Sequence, residues 1–262
     1  MHGAFCFVWN EEAALVRTMG ARASIRLRIL RRIYREAASW ACDDVAAARR
    51  LDAVDPLAKV VVVGEAVGPK TLRLSGVSYF GPDGRLGATG RYLDEILRSA
   101  NLTIYPGKEI RVDTGVIHPS DLQRQRVYST DLCPCFPGYS ASRHQKPIRI
   151  ERPGQQIVYD ALKKQFLRRE LAVIRPKVIV LLGERAYKHF YDHFLGIRVE
   201  TPLTALIGRL DMERLPRFKT AVVLPFLHPS PASPAFLRWF SANKGRLERT
   251  PFVRRLVRSL GR

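Results

Sequence analysis

The sequence predicts an α/β protein of three layers, α/β/α. A central four-stranded, mainly parallel sheet is expected, with helical extensions at the N- and C-terminal ends. Four short strand-like segments carry this reading: Val60–Val63, Arg126–Thr130, Val178–Leu182 and Ala221–Leu227. Their length and β-branched content are those of buried strands. Segments of helical period separate them, and strands alternating with helices build a parallel sheet covered on both faces. Two runs end abruptly in small and polar residues. Gly64-Glu65-Ala66-Val67-Gly68-Pro69 follows the first, and His228-Pro229-Ser230-Pro231 follows the last. Ligands bind outside the carboxyl ends of the strands in open α/β sheets. A carboxylate and an imidazole are therefore expected to face one pocket.

Residues 1–58 read as a basic helical extension. Ile25, Ile29 and Ile33 recur at i, i+4, with Arg22, Arg26, Arg28, Arg31, Arg32 and Arg35 between them. That pattern predicts an amphipathic helix with an isoleucine face on the body and a solvated arginine face. The body spans 59–242. After its first strand comes a stretch from Gly64 to Gly90 that holds seven glycines. Tyr92–Leu97 reads as a helix with Leu93, Ile96 and Leu97 on one side. The second strand, Arg126–Thr130, is expected to end at Asp131. Pro134–Pro153 is rich in Pro, Gly, Ser and basic residues and reads as a long loop. A helix from Gly154 to Ile174 follows, stopped by Pro176. The third strand, Val178–Leu182, turns at Gly183 into a helix over Glu184–Phe194. Residues 243–262 form a basic tail, helical, with Phe252, Val253, Leu256 and Leu260 on its apolar side.

Composition narrows the partners. The chain has 262 residues and is 46% hydrophobic, enough for one full α/β core. Lys and Arg number 44 against 24 Asp and Glu, a formal charge of +20. Such a surplus favours a polyanion, nucleic acid first. No apolar run reaches the roughly 18 residues a membrane span requires, so no membrane partner is expected. Cys6, Cys42, Cys133 and Cys135 do not form repeated CxxC pairs, and no metal is expected. Reduced thiols in an intracellular compartment are the default, and a cytoplasmic location is expected. The start lacks the apolar core of a secretory signal. Arg17–Arg35 is Arg-rich and free of acids, a composition that mimics an organelle transit peptide.

The ordered set of segments then becomes recognisable. A strand leads into GEAVGP, followed by a Gly-rich stretch with an aromatic residue, GATGRYLDEIL, VYSTDLCPCFPG, RPKVIVLLG and a strand ending in HPSP. Over about residues 59–240 this set resembles the uracil-DNA glycosylase superfamily, most closely the branch called family 4. The resemblance implies a four-stranded parallel sheet between helices, and an enzyme that flips uracil out of DNA and hydrolyses its N-glycosidic bond. A base inside the stack is out of reach, so it must be extruded. Breaking the bond leaves an oxocarbenium-like sugar and a uracil anion, and both charges need stabilising.

The same resemblance assigns roles. His228 would donate a hydrogen bond to uracil O2, for which a neutral imidazole suffices. Glu65 would orient water or stabilise the sugar cation, with Ala66 standing where the best-known members carry a water-activating Asp. Gly64, Ala66 and Gly68 would let the backbone approach base and sugar. Phe80 would stack on the flipped base, although one inserted residue gives Tyr79 the same opportunity. His118-Pro119-Ser120 repeats the HPS pattern but follows no strand-like run and reads as loop.

Two departures from the family pattern stand out. Asp131 occupies the place of an Asn that reads uracil by accepting from N3–H and donating to O4; an ionised Asp only accepts. Either Asp131 is protonated, or other donors read O4, or the base is not ordinary uracil. Family 4 also holds an iron–sulfur cluster on four cysteines; Cys135 matches one ligand position but the N-terminal CxxC is missing, so no cluster and no other cofactor is expected.

Lys70, Arg73, Arg143, Lys146 and Arg185 are candidate DNA contacts, Arg185 at a helix start. Ser230 and Ser233 are candidates for holding phosphates, and Pro231–Leu237 for the wedge that fills the space of the flipped nucleotide. Neither motif contains a lysine, so no lyase step is expected. The expected partners are uracil-containing DNA and the abasic product, with a monomeric protein. The alternatives are a superfamily member that binds abasic or damaged DNA with little catalysis, or one that acts on another deaminated base.

Overall fold

The structure, a computed structural model, describes residues 21–36, 55–66, 79, 86–104, 125–133, 163–207 and 215–261. Its centre is a sheet of five strands in the order β4-β1-β5-β7-β6. These are β1 (Val60–Ala66), β4 (Tyr128–Cys133), β5 (Val178–Leu182), β6 (Arg217–Phe218) and β7 (Ala221–Phe226). The first four in spatial order run parallel. The fifth, β6, is the addition to the expected set: two residues, antiparallel to the start of β7. A separate parallel pair joins β2 (Leu102–Thr103) to β3 (Gln125–Arg126).

The two central strands explain the three layers. Val60–Val63 and Val178–Val180 are wholly inaccessible, so both faces of the sheet are covered. Pro225 lies inside β7, where a proline normally breaks a ladder. Val222 N–H bonds Lys177 O at 2.9 Å on the β5 side, and Val223 N–H bonds Pro216 O at 3.1 Å on the other. Two residues on, Pro225 turns its nitrogen to that outer side. Strand β6 pairs only with Ala221 and Val222, so no ladder bond is lost.

Helices flank this sheet. Helix α1 covers 21–36. Helix α2 (Ala88–Arg98) buries Leu93, Ile96 and Leu97 as their spacing predicts, along with Asp94. The Asp94 carboxylate takes Arg98 at 2.5 Å and the Thr103 hydroxyl at 3.3 Å. Helix α3 (Phe166–Ile174) lies on β4, and α4 (Glu184–Phe190) follows β5 and continues as a π turn over Tyr191–Leu195. The short α5 (Leu203–Ile207) precedes α6 (Pro234–Asn243) and α7 (Pro251–Ser259). Both α6 and α7 begin with a hydroxyl cap, Ser233 and Thr250, followed by proline in the first turn. The tail is part of the core: Phe252 of α7 stacks on Phe226 of β7 with centroids 4.0 Å apart.

Three local expectations are corrected. Ile25 and Ile29 are 55% and 43% exposed, whereas Leu30, Ile33 and Tyr34 are buried. The buried stripe of α1 includes half-buried Arg26, which the periodicity had put on the solvated face. Its guanidinium donates to Pro56 O at 3.0 Å and to Ile174 O at 3.1 Å, the last carbonyl of α3. A cation at a helix C-terminus is favourable there. The helix expected over 154–174 is interrupted at 164–165, because Gln165 takes a φ of 57° that a right-handed helix cannot continue. Strand β4 runs past Asp131 to Cys133, which pairs with Ala66 of β1.

Candidate active site

Four strand ends meet on one edge of the sheet. Strand β4 brings Asp131, β1 brings Gly64, Glu65 and Ala66, β5 leads to Gly183, and β7 leads through Leu227 to His228. The chain leaves β1 for β4 on one side, then crosses to β5 and β7 on the other. The winding thus reverses between β1 and β5, the place where open sheets bind ligands.

Neighbouring residues explain the small side chains. Gly64 pairs with Asp131 across the β1–β4 ladder, and a Cβ at position 64 would overlap Asp131 Oδ1. A glycine is therefore what allows the Asp131 carboxylate to lie over β1, where it is buried, 9% exposed. Gly183 plays the matching part on the other side. Its φ is 91°, a backbone region few other residues adopt, and a Cβ there would stand 3.2 Å from His228 Cβ. Position 183 thereby becomes the bed on which His228 rests.

Glu65 lies within β1, one residue before its end, rather than in a loop. Its Oε1 lies 3.4 Å from Nη1 of Arg185 on α4, so the two residues bridge the point of reversal. Arg185 had been expected to serve a phosphate at the start of this helix; its place beside Glu65 was not legible in the sequence. Glu184 in the same first turn accepts from Leu203 N–H at 2.8 Å and pairs with Lys188 at 2.9 Å.

The His228 ring is open to solvent on one side and backed by protein on the other. This partial desolvation lowers its pKa below the ordinary imidazole value, so the ring is neutral at neutral pH. The turn after it is built by its own hydroxyls. Ser230 N–H bonds His228 O at 2.8 Å, and Ser230 Oγ accepts from Ala232 N–H at 3.1 Å. Ser233 Oγ accepts from Phe236 N–H at 3.4 Å and so caps α6. Both serines keep their hydroxyl protons for a further acceptor. Residues 234–237 belong to α6 and Phe236 is fully buried, which leaves Pro231, Ala232 and Pro234 as the exposed part of the expected wedge.

Tyr79 has a φ of 74° and its carbonyl accepts from Gly87 N–H at 2.9 Å. Its Cβ presses on Gly90 of α2, where any Cβ would meet it at 2.9 Å. These contacts tie Tyr79 to the start of α2. Gly68, Phe80, Lys70, Arg73, Arg143, Lys146 and the HPS repeat at His118 lie outside the described residues. So do Cys6, Cys42 and Cys135; Cys133 is buried in β4. Among the described residues no three His, Cys, Asp or Glu side chains gather as metal ligands, and no helix is long and apolar enough to cross a membrane.

One supporting residue was not singled out from sequence. Glu170 of α3 is 3% exposed and accepts from Tyr128 OH at 3.1 Å and Thr130 Oγ1 at 2.7 Å. Tyr34 of α1 hydrogen-bonds the same Tyr128 hydroxyl. This buried network fixes β4 immediately before Asp131 and ties α1 to it. Its only sequence signal is an acid on the apolar side of Phe166–Ile174.

A mainly parallel sheet that gathers two carboxyl side chains and a neutral imidazole at the carboxyl ends of its strands, in a chain of +20 charge, defines an α/β protein whose candidate site suits a nucleic-acid substrate. Residues 51–250 match the family model of the Uracil DNA glycosylase superfamily, and the chain belongs to that superfamily. Its members are DNA repair glycosylases, hydrolases that act on damaged bases. No curated protein matches the chain.

Proposed function

We propose that the protein is a monofunctional uracil-DNA glycosylase, closest to family 4 but without its iron–sulfur cluster, which flips uracil out of DNA and leaves an abasic site. The observation that carries this reading is the placement of Glu65 and His228 on one edge of the sheet, at strands separated only by β5. The flipped nucleotide would lie between them. Water attacks C1′ as the C1′–N1 bond breaks, the bonding electrons leave with the base as a uracil anion, and the proton the water loses passes to solvent, from which the released base is reprotonated. His228, neutral, donates its N–H to O2, where that charge develops. Glu65 faces the sugar, orients the water and offsets the positive charge on the ring. The Gly64 and Ala66 backbone lines the approach, with Gly68 beyond it, and Phe80 or Tyr79 stacks on the base. Lys70, Arg73, Arg143, Lys146, Arg185, Ser230 and Ser233 hold phosphates, and Pro231 enters the gap in the duplex.

No cysteine takes part in these steps. The reaction is complete within a monomer in a cytoplasmic setting, with uracil-containing DNA as substrate and abasic DNA as product.

A second reading rests on Asp131. Its carboxyl group is buried against Gly64, where the family pattern has an amide. In this reading the protein acts on another deaminated base or holds abasic DNA with little catalysis.

One assay separates these. A labelled oligonucleotide carries uracil opposite G, opposite A or in single strand, and alkali reveals abasic sites. Cleavage by wild type that His228→Ala loses supports the uracil reading. No cleavage on any of the three overturns it, and release of hypoxanthine or xanthine, or preference for abasic duplex, supports the second.

A further inference from the structure

The sheet edge opposite the candidate active site holds a cavity of ≈ 480 Å³. Its lining contains four cations, Lys177, Arg217, Arg255 and Arg258, with the hydroxyls of Thr220 and Ser259 and two aliphatic side chains. Lys177 and Thr220 immediately precede β5 and β7, Arg217 is in β6, and the other three belong to α7. Strand starts therefore form its floor, whereas Glu65 and His228 stand at strand ends.

Charge and burial set this cavity apart from ordinary basic surface. Among the described residues no carboxylate lines it. Lys177, Arg217 and Arg258 are exposed, and among the described residues their side chains form no ion pair. Arg255 is only 4% exposed. Burial raises the pKa of the Tyr191 phenol, and the Arg255 charge opposes that rise, so the guanidinium acts electrostatically inside the protein. The charges of Lys177, Arg217 and Arg258 around one space repel one another, and a bound anion relieves that repulsion.

The lining also says which anion. Among the described residues it has no aromatic ring on which a base could stack and no amide or carboxylate side chain to read a base edge. Guanidinium forks, an ammonium and hydroxyl donors are the groups that hold phosphate oxygens. At about 30 Å³ per water, the volume corresponds to roughly 16 waters, more than one phosphate group fills.

We propose that this cavity is a phosphate-binding site, separate from the candidate active site, that takes adjacent phosphate groups through Lys177, Arg217, Arg255 and Arg258. Successive phosphates of a nucleic-acid strand and a free polyphosphate present the same chemistry. The two sources are told apart by experiment, and neither depends on uracil excision.

The test compares wild type with Lys177→Gln/Arg217→Gln/Arg258→Gln, three exposed positions whose neutralisation leaves the core intact. A control of equal charge change, Arg22→Gln/Arg28→Gln/Arg31→Gln, alters the exposed face of α1. One arm titrates sodium tripolyphosphate by calorimetry. The other measures affinity for a lesion-free duplex against salt. If a strand occupies the cavity, the salt slope falls by about 2–3 in the cavity variant, near 0.9 per phosphate contact, and by less in the control. If a free polyphosphate occupies it, tripolyphosphate binding weakens at least tenfold in the cavity variant alone while the DNA slopes of the two variants agree. Equal behaviour of both variants in both arms overturns the site. Because both ligands lack a lesion, the outcome stands whether or not the protein excises uracil.

Discussion

Glu65 Oε1 and Arg185 Nη1 meet at 3.4 Å across the line where the sheet reverses its winding. Glu65 is the last but one residue of β1 and Arg185 the second of α4, so the pair spans the switch point at which open α/β sheets bind ligands. The arginine is 67% exposed and the glutamate 30%, so the contact stabilises the fold by no more than about 1 kcal/mol. Its weight falls on function. Glu65→Gln is expected to lower base release at least a hundredfold, about the contribution of one positioned base or electrostatic group, while DNA binding is retained. Arg185→Gln is expected to weaken DNA binding and to reduce the salt slope by about 1, as loss of one phosphate contact does. If Arg185→Gln instead abolishes release with binding unchanged, the arginine works through Glu65 rather than on the DNA.

Gly64→Ala places a methyl group into the Asp131 carboxylate. The expected cost is about 1–3 kcal/mol, the range for forcing atoms into a packed site, measured by denaturant unfolding. Activity should fall with it. Adding Asp131→Ala to Gly64→Ala should recover most of the stability, since the overlapping oxygen is then gone. Stability that stays low in the double variant would place the strain elsewhere.

His228 should titrate below the ordinary imidazole value, because desolvation disfavours its charged form. The sign for stability follows. As pH falls below the unfolded value of about 6.5, the unfolded chain takes up this proton first, so the folded state loses stability until the lowered native pKa is passed. Nitrogen-detected NMR of the ring measures the midpoint. A midpoint at or above that of a free imidazole would mean that the ring is not desolvated.

Gly183→Ala tests the bed beneath that ring. With φ at 91° and ψ at 164° the alanine is strained by about 1–3 kcal/mol, and its methyl group pushes on His228 Cβ. The expected result is a loss in kcat larger than that stability change explains. A loss matching the unfolded fraction alone would reduce Gly183 to a backbone role.

Glu170→Leu leaves the Tyr128 and Thr130 hydroxyls without their shared acceptor in a buried site. Losing a shared buried acceptor costs about 1–3 kcal/mol, with the Tyr34 hydroxyl still beside that of Tyr128. Glu170→Gln keeps one carbonyl acceptor and should be milder. The order of the two variants in thermal unfolding checks the assignment, and equal effects would argue against the network.

Most of the sheet was legible because its strands are buried on both faces. Val60–Val63 and Val178–Leu182 must be continuous apolar runs to sit at its centre, and continuous runs are visible. Strand β6 escaped notice because two residues carry no period. The isoleucines of α1 misled for a related reason: Ile25, Ile29 and Ile33 repeat at i, i+4, yet the buried stripe passes through Arg26, Leu30, Ile33 and Tyr34. A guanidinium whose donors reach two backbone carbonyls can be half-buried, and sequence alone does not reveal those carbonyls.

By itself the sequence determined the alternation of strands and helices, the positive charge, and the two motifs that carry Glu65 and His228. Each is a property of neighbours along the chain, where period and residue type act directly. Tertiary structure alone decided what those motifs face. Strand order set β1 beside β4 and β5, which put Asp131 over Gly64, Arg185 beside Glu65 and His228 on Gly183. The same order brought Lys177, Arg217 and the α7 pair Arg255 and Arg258 around one cavity from three separate parts of the chain. Such meetings depend on which strands pair, and pairing is fixed by burial of the whole sheet rather than by any one segment.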